Sequence, residues 1–223
     1  MNLLSHYTLL ADLFDYPRSN YPQKVEQVLL YFQKNDPHIY KILEPFVKQI
    51  LGMELKEIEE LYTRTFDVQA ATTLDVGYIL FGEDYKRGEI LSHLNREHRL
   101  AQNECGQELA DHLPNILRLL PRLKDRELLQ ELVSEILAPA LQKMISEFDP
   151  ERLSVKEKLY QKHYKTLIES QREWATIYSL ALKTLQEALH KDFSFSKKTL
   201  SRPSMDFLKS LGAEIEIEDE RVG

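Results

Sequence analysis

The sequence predicts an all-α, single-domain helical bundle, and three observations support that prediction. Only seven of the 223 residues are glycine, whereas strands joined by tight turns usually need more. Leu, Glu, Lys and Gln, which favour helices, are frequent. Apolar residues recur at intervals of three and four along most of the chain, as they do on the buried face of an amphipathic helix. A chain of this length is also short enough to fold around one core.

Helices are expected wherever apolar residues keep this spacing. Each run is separated from the next by Pro, Gly, Asn or Asp, which favour turns. The runs cover residues 3–14, 25–32, 40–51, 55–66, 78–81, 87–104, 113–120, 128–148 and 155–189.

Local signals predict how several of these helices begin and end. Asp36 is suited to cap the third helix, whose first position Pro37 can occupy. Gly52 is expected to end that helix in the left-handed conformation, and Pro45 is expected to kink or split it. Gly82 is expected to end the short helix that precedes it.

The second half of the chain contains the two longest apolar runs. Pro139 is expected to bend the first of them. Ser154, with Glu157 three residues later, fits a capping box. This signal predicts one long helix from Ser154 to Leu189.

The chain is expected to divide into a folded domain over residues 1–190 and a flexible extension over 191–223. Helical apolar spacing is lost after Leu189, where Lys and Ser become frequent. Within the extension a short helix is expected at 204–211. Residues 214–223 hold five acidic side chains against one arginine, so this tail carries much of the formal net charge of -7.

Composition and motifs exclude several functional classes. The net charge of -7 disfavours nucleic-acid binding, which depends on basic surfaces. Neither of the common glycine-rich nucleotide-binding motifs occurs. No apolar run reaches eighteen residues, so we expect no membrane insertion. The lone Cys105 cannot form an intramolecular disulfide and the N-terminal residues lack a basic signal region, so we expect a cytoplasmic protein.

Two groups of polar residues indicate possible chemistry, and each has a structural alternative. The run from His93 to His98 is similar to an inverted zinc-protease motif but has one residue too many, so we interpret it as a solvated polar helix face. Asp111 beside His112 forms either an acid/base pair or the start of a helix that Asp111 caps. We expect no cofactor, no bound metal and no enzymatic activity.

Four aromatic residues between positions 62 and 81 keep near-helical spacing. Such residues more often belong to a core than to a ligand site, and we expect two or three of them to be buried. They are Tyr62, Phe66, Tyr78 and Phe81.

One region of the chain combines several short motifs in a particular order. It begins with a Tyr-x-x-x-Phe-Asp helix end at 62–67 and a Thr-Thr-Leu stretch at 72–74. A Gly-Glu pair at 82–83, an Arg-Gly pair at 87–88 and the sequence ELADHLP at 108–114 follow. In this order the motifs resemble the NarJ-type branch of the TorD-like redox-enzyme maturation chaperones.

The resemblance implies a TorD-like, all-helical chaperone that takes part in the assembly of a molybdenum oxidoreductase such as nitrate reductase. Proteins of that family bind the N-terminal leader of the catalytic subunit and hold it until the cofactor is inserted. An amphipathic leader can bury its apolar face between helices while carboxylates meet its arginines. On this basis the residues expected to bind the peptide are Tyr62, Phe66, Tyr78, Phe81, Glu83, Arg87, Asp111, His112 and Pro114.

Other functions stay open on the sequence alone. A helical scaffold or adaptor without a molybdoenzyme client is the main alternative, and a metal-dependent helical enzyme is a weaker one. Residues 75–81 lack the histidines found in some nitrate reductase chaperones, so the resemblance leaves the particular client open. The expected protein is a monomer or a homodimer.

Overall fold

Helices provide the regular structure of this chain, as its apolar spacing predicts. The computed structural model describes residues 4–68, 70–163 and 176–193, and no β-strand occurs in those ranges. A 3₁₀ turn at Leu120–Arg122 extends one helix, and a π-helical segment at Leu132–Leu137 joins two others. The α-helices are α1 His6–Ala11, α2 Tyr21–Asn35, α3 Pro37–Leu51, α4 Leu55–Phe66, α5 Val76–Phe81, α6 Tyr85–Leu100, α7 Leu113–Leu119, α8 Arg126–Glu131, α9 Ala138–Ser146, α10 Pro150–His163 and α11 Ile177–Asp192.

One hydrophobic core joins these helices and confirms the prediction of a single-domain bundle. Helix α3 packs against α2 and α11, α1 packs against α7, and α9 packs against both α11 and α5. The core extends from Leu4 to Phe193. Burying one large apolar side chain stabilises a fold by about 1.5–3 kcal/mol, so this shared core is the main source of stability. Its largest fully buried side chains include Tyr7, Phe14, Tyr21, Phe46 and Tyr178.

The predicted start of α3 and its predicted end at Gly52 are confirmed, but the left-handed conformation predicted for Gly52 is wrong. The Asp36 carboxylate accepts hydrogen bonds from the backbone N–H groups of His38 (3.0 Å) and Ile39 (3.1 Å). Gly52 has φ -87°, outside the left-handed region. Its N–H instead bonds to the carbonyl of Gln49 at 3.1 Å, a tightened 3₁₀-type ending that needs no positive φ.

Pro45 does not split α3, which continues through it without interruption. Proline removes one backbone hydrogen bond, here the bond to the carbonyl of Lys41. Both residues are exposed, so water can satisfy that carbonyl. The opposite face is held in the core by Phe46, Val47 and Ile50, which are fully buried.

Near Pro139 the chain is π-helical rather than simply bent. The π-helical segment Leu132–Leu137 ends just before α9, which has Pro139 in its first turn. A proline ring clashes with the carbonyl one turn earlier, and a wider π turn relieves that clash. The segment packs against α5, so it helps to position the candidate site described below.

The predicted long helix from Ser154 is wrong in two respects. Helix α10 begins at Pro150, and the N–H of Leu153 already donates to the carbonyl of Asp149 at 3.0 Å. Ser154 therefore lies inside the helix. Thr176 lies outside any helix, just before α11, and so interrupts the predicted run to Leu189. The predicted stretch 164–175 lies outside the described residues.

Helix α11 continues to Asp192, two residues beyond the predicted end of the folded domain at residue 190. Phe193, which follows it, is buried against the ring of Tyr7. The predicted short helix at 204–211 and the acidic tail lie outside the described residues.

Candidate functional site

A single antiparallel bridge places the first turn of α5 beside the first turn of α7. The N–H of Val76 donates to the carbonyl of Asp111 at 3.0 Å, and the N–H of Leu113 donates to the carbonyl of Leu74 at 2.9 Å. These two bonds pair Asp75 with His112, 37 positions later in the chain. The bridge therefore brings together two loops that the sequence places far apart.

Polar side chains gather at this bridge around one arginine of α6. Arg87 donates from Nη2 to Oδ2 of Asp75 (3.0 Å) and from Nε to Oδ2 of Asp111 (3.2 Å). His112 Nδ1 lies 3.2 Å from Oδ1 of Asp75. The backbone N–H of Gly77 donates to Oδ2 of Asp111 at 3.2 Å. We call Asp75, Gly77, Arg87, Asp111 and His112 the Arg87 cluster.

The Arg87 cluster is packed tightly enough to require glycine at position 77. A Cβ atom on Gly77 would lie 2.7 Å from Oδ2 of Asp111 and 3.3 Å from Cγ of Arg87. The first distance is well inside van der Waals contact with a side chain that is itself fully buried. Any larger residue would displace the carboxylate from its contacts with the N–H of Gly77 and Nε of Arg87.

The two carboxyl groups of the Arg87 cluster have opposite electrostatic character. Burial raises the pKa of Asp111, and repulsion from Asp75 adds to this effect, whereas Arg87 and the N–H of Gly77 offset only part of it. The hydrogen bond from His112 and the charge of Arg87 lower the pKa of Asp75 despite its partial burial. Both carboxylates raise the pKa of Arg87. The Oδ1 atom of Asp111 is buried and has no hydrogen-bond partner among the described residues.

The structure corrects both predictions for Asp111. His112, not Asp111, is the residue that precedes α7, and the Asp111 side chain contacts α5 and α6 instead of capping that helix. The carboxylate that meets the His112 ring belongs to Asp75, so Asp111 and His112 are not a hydrogen-bonded acid/base pair. Sequence reasoning missed Gly77 and one charged member of the Arg87 cluster, Asp75. Its only local signal is its position just before an apolar helix.

The nine predicted peptide-binding residues divide into three groups. Arg87, Asp111 and His112 lie in the Arg87 cluster, and Tyr78 adjoins it, with its ring centroid 5.3 Å from Cζ of Arg87. Glu83 is exposed in the turn between α5 and α6, and Pro114 is buried in α7. The third group consists of the core residues Tyr62 and Phe66 and the half-buried Phe81.

Burial of the four aromatic residues agrees with the expectation that two or three of them belong to the core. Tyr62 is 4% exposed and donates its hydroxyl proton to the carbonyl of Phe14 at 3.2 Å. Phe66 is 5% exposed and packs edge-on against Tyr178. Tyr78 is 42% exposed, so it is the one available to a partner.

A second acidic feature lies next to the Arg87 cluster. Asp67 interacts electrostatically with Glu108, His112 and Asp75. Burial raises the pKa of Asp67, and repulsion from Glu108 adds to this effect. Each of these two acids precedes an apolar residue that is about half exposed, Val68 after Asp67 and Leu109 after Glu108. We call these four residues the acidic rim. It offers carboxylates for a cation and apolar surface for a side chain.

The predicted solvated face from His93 to His98 is wrong at its last residue. His98 is 3% exposed, and its ring contacts the carbonyl of Ala110 (3.0 Å) and the side-chain amide of Asn103 (2.9 Å). Through His98 the end of α6 contacts the loop that precedes α7. The side chain is therefore part of the interior.

The site lies in the part of the chain that the structure describes, residues 4–68, 70–163 and 176–193. No group of three His, Cys, Asp or Glu residues there is placed to hold a metal ion. No helix in the same ranges is long and apolar enough to cross a membrane. Neither the protein-family models nor the curated proteins contain a match to this chain. The site is therefore interpreted from its own chemistry.

Proposed function

We propose that this protein is an assembly chaperone that binds the N-terminal leader of a molybdoenzyme catalytic subunit and holds it until the cofactor is inserted. The observation that carries the proposal is the convergence of the motifs behind the NarJ-type resemblance. Arg87 and Asp111, 24 positions apart, contact each other, with His112 and the exposed Tyr78 beside them. Residues of a binding site need such proximity, whereas unrelated surface motifs do not.

The chemistry of this region suits an amphipathic, basic peptide. Tyr78, Val68 and Leu109 are each between 42% and 52% exposed and offer apolar surface. Asp67 and Glu108 add negative charge, and no ion pair links either of them to a cation of the described residues. An arginine of the leader would relieve their mutual repulsion, while its apolar face covers the exposed side chains.

The energetic requirement for such binding is modest. Micromolar affinity corresponds to about 8 kcal/mol. At roughly 25 cal/mol per Å², on the order of a thousand Å² of apolar burial supplies more than that, and the surplus offsets the ordering of the peptide. A leader of about fifteen residues in helical form is long enough to provide this area.

The direct test is a calorimetric titration of the full-length protein with the synthetic N-terminal leader of a molybdoenzyme catalytic subunit. A peptide of the same composition in scrambled order is the control. We expect micromolar binding of the leader with a negative heat-capacity change, because apolar surface leaves water. Equal binding of the scrambled peptide, or none of either, would contradict the proposal and favour the scaffold or adaptor alternative.

Two matched pairs of variants locate the contact. Tyr78→Ala is expected to weaken leader binding by about 1–3 kcal/mol, whereas Leu30→Ala, at a residue 55% exposed on α2, leaves it unchanged.

Glu108→Gln is expected to weaken binding several-fold at low salt and less at high salt, since exposed charges are screened. Glu26→Gln on α2 is its control. Circular dichroism should show unchanged helix content in all four.

A further inference from the structure

The loop at residues 101–112 ends in two residues of the Arg87 cluster and has no regular secondary structure over most of its length. Its beginning is fixed by the end of α6. Gln102 has φ 51°, and its N–H bonds to the carbonyl of Arg99 at 3.2 Å. The N–H of Asn103 bonds to the carbonyl of His98 at 2.8 Å. Together these bonds form a Schellman-type helix ending that turns the chain back toward α7.

Three buried polar side chains then hold the loop from inside. Asn115 in the first turn of α7 donates from Nδ2 to the carbonyls of Cys105 (3.2 Å) and Leu109 (3.0 Å). Asn103 donates from Nδ2 to the carbonyl of Asn115 (3.2 Å) and lies 2.9 Å from Nδ1 of His98. His98 completes the network through Nε2, 3.0 Å from the carbonyl of Ala110. The three side chains belong to residues that are 3–6% exposed.

The partners of His98 decide which of its nitrogens carries the proton. The carbonyl of Ala110 can only accept, so Nε2 is the donor, and the amide of Asn103 donates to Nδ1. Burial lowers the pKa of His98, and the nearby charge of Arg122 acts in the same direction. The hydrogen-bond partners and the lowered pKa of His98 both favour the neutral ring. Its donor points at the residue immediately before Asp111.

We propose that His98 is a positioning residue for the leader site, which it orders by fixing the carbonyl of Ala110. Helix α6 then holds the same two-residue stretch from both of its ends. Arg87 near its beginning bonds to the side chain of Asp111, and His98 near its end bonds to the backbone of Ala110. With both contacts made, the carbonyl of Asp111 meets the N–H of Val76 and the bridge forms. The inference rests on the proposed function for its effect on leader binding, but not for its effect on the loop.

Substitutions of His98 test the Nε2 donor and the Nδ1 acceptor of the ring separately. Gln places an amide N–H near the position of Nε2, whereas Asn places an oxygen near Nδ1 and does not reach Ala110. His98→Ala removes both. We expect His98→Gln to bind the leader within about twofold of the wild type, and His98→Asn and His98→Ala to bind about tenfold more weakly, as for a lost buried hydrogen bond. Equal affinity in all variants, or a Gln variant as weak as the Ala variant, would overturn the inference.

A second readout does not depend on any leader. The N–H groups of Val76 and Leu113 form the two bonds of the bridge, so their hydrogen exchange reports whether Ala110 and Asp111 are in place. We expect faster exchange at both amides in His98→Ala and His98→Asn, and near wild-type exchange in His98→Gln. Unchanged exchange in all variants would reject the positioning role. If the wild type bound no leader but the exchange pattern held, the proposed function would fail and the positioning of Asp111 by His98 would stand.

Should His98→Ala fail to fold, the Gln and Asn variants still decide between these outcomes. Both keep a polar side chain of intermediate size in a site that is 3% exposed. Asn103→Ala provides an independent check, because it removes the donor to Nδ1 and the bond to the carbonyl of Asn115 but leaves the Nε2 contact to Ala110. We expect it to perturb the bridge amides less than His98→Ala does. The opposite order would assign the positioning role to Asn103.

Discussion

At the scale of single residues, the Arg87 cluster depends on close contact between charged side chains and a glycine. Asp111 is fully buried, and Arg87 and the N–H of Gly77 offset only part of the effect of burial on its carboxylate. Burying a carboxylate without full compensation costs stability. In some proteins such groups are retained because they fix one particular arrangement. The contacts of Gly77 and Asp111 make this arrangement testable.

Gly77→Ala is expected to destabilise the fold by about 1–3 kcal/mol, because the new Cβ would lie 2.7 Å from Oδ2 of Asp111. The matched control is Gly88→Ala in α6, where a Cβ meets nothing within 4 Å. That change is expected to stabilise by up to about 1 kcal/mol, since Ala favours helix over Gly. Urea unfolding measures both. Equal effects of the two substitutions would contradict the close packing described for Gly77.

Asp111→Asn is expected to change the dependence of stability on pH. The pKa of Asp111 is raised in the folded state above its ordinary value of 3.8, so the folded protein binds the proton more readily than the unfolded chain. The contribution of Asp111 to stability therefore increases as pH falls through its folded pKa toward 3.8, and decreases as pH rises. The Asn variant lacks this pH-dependent contribution to stability, because an amide does not titrate in this range. Its loss of stability relative to the wild type should be larger at acidic pH than at pH 7.

The measurement is urea unfolding of both proteins at several pH values between 4 and 8. Asp75 acts in the opposite sense, because His112 and Arg87 lower its pKa, and its contribution is lost only as pH falls below 3.8. The two acids are thus separable by the direction of the effect. A difference between wild type and Asp111→Asn that grows with rising pH would refute the assignment.

At the scale of elements, α6 and the loop after it show how a helix ending positions a site. Gln102 adopts a positive φ of 51°, a conformation that glycine occupies without strain. Gln102→Gly is expected to stabilise the protein by about 0.5–1 kcal/mol and to leave the bond from Arg122 to the carbonyl of residue 102 intact. Gln107→Gly, at an exposed position without positive φ, should be neutral or destabilising. Thermal unfolding distinguishes the two, and a gain from both would contradict the argument.

The helices themselves follow from the sequence, because their apolar spacing and local caps act over a few residues. Asp36 and Gly82 begin and end helices as predicted, and Gly82 has φ 61°. Gly52 also ends its helix, but with a negative φ, and Ser154 lies inside a helix that begins at Pro150. Local signals thus identify an element more reliably than they identify its terminal residue or the conformation there.

The Arg87 cluster could be predicted only in part. Arg87, Asp111 and His112 belong to the motifs behind the NarJ-type resemblance, so sequence analysis selects them. Asp75 comes into the cluster through a bridge to a residue 37 positions away, and no spacing rule specifies such a pairing. The burial of His98 cannot be predicted from spacing either, because it depends on the loop before α7, whose Ala110 carbonyl contacts the ring.

At the scale of the whole molecule, the last turn of α11 ties the C-terminal end of the core to its beginning. Oδ2 of Asp192 lies 2.7 Å from Nε2 of His6 and accepts a hydrogen bond from the hydroxyl of Tyr7 at 3.0 Å. The ring of Phe193 packs 6.2 Å from the ring of Tyr7. An ion pair between Lys191 and Asp36 joins the same turn to α3. These contacts lie just past residue 190, where apolar spacing alone would end the domain.

A chain that ends after Phe193 should therefore be more stable than one that ends after His190. The longer chain keeps the two contacts of Asp192 and the buried ring of Phe193, which is 6% exposed. The shorter chain loses all three, and the expected difference is about 3 kcal/mol from one buried aromatic ring and two hydrogen bonds. Urea unfolding of the two proteins measures this difference. Equal unfolding midpoints for the two truncated chains would show that the last turn of α11 contributes nothing to stability. Limited proteolysis of the full chain is a second measurement, and it should leave a core that ends near residue 193.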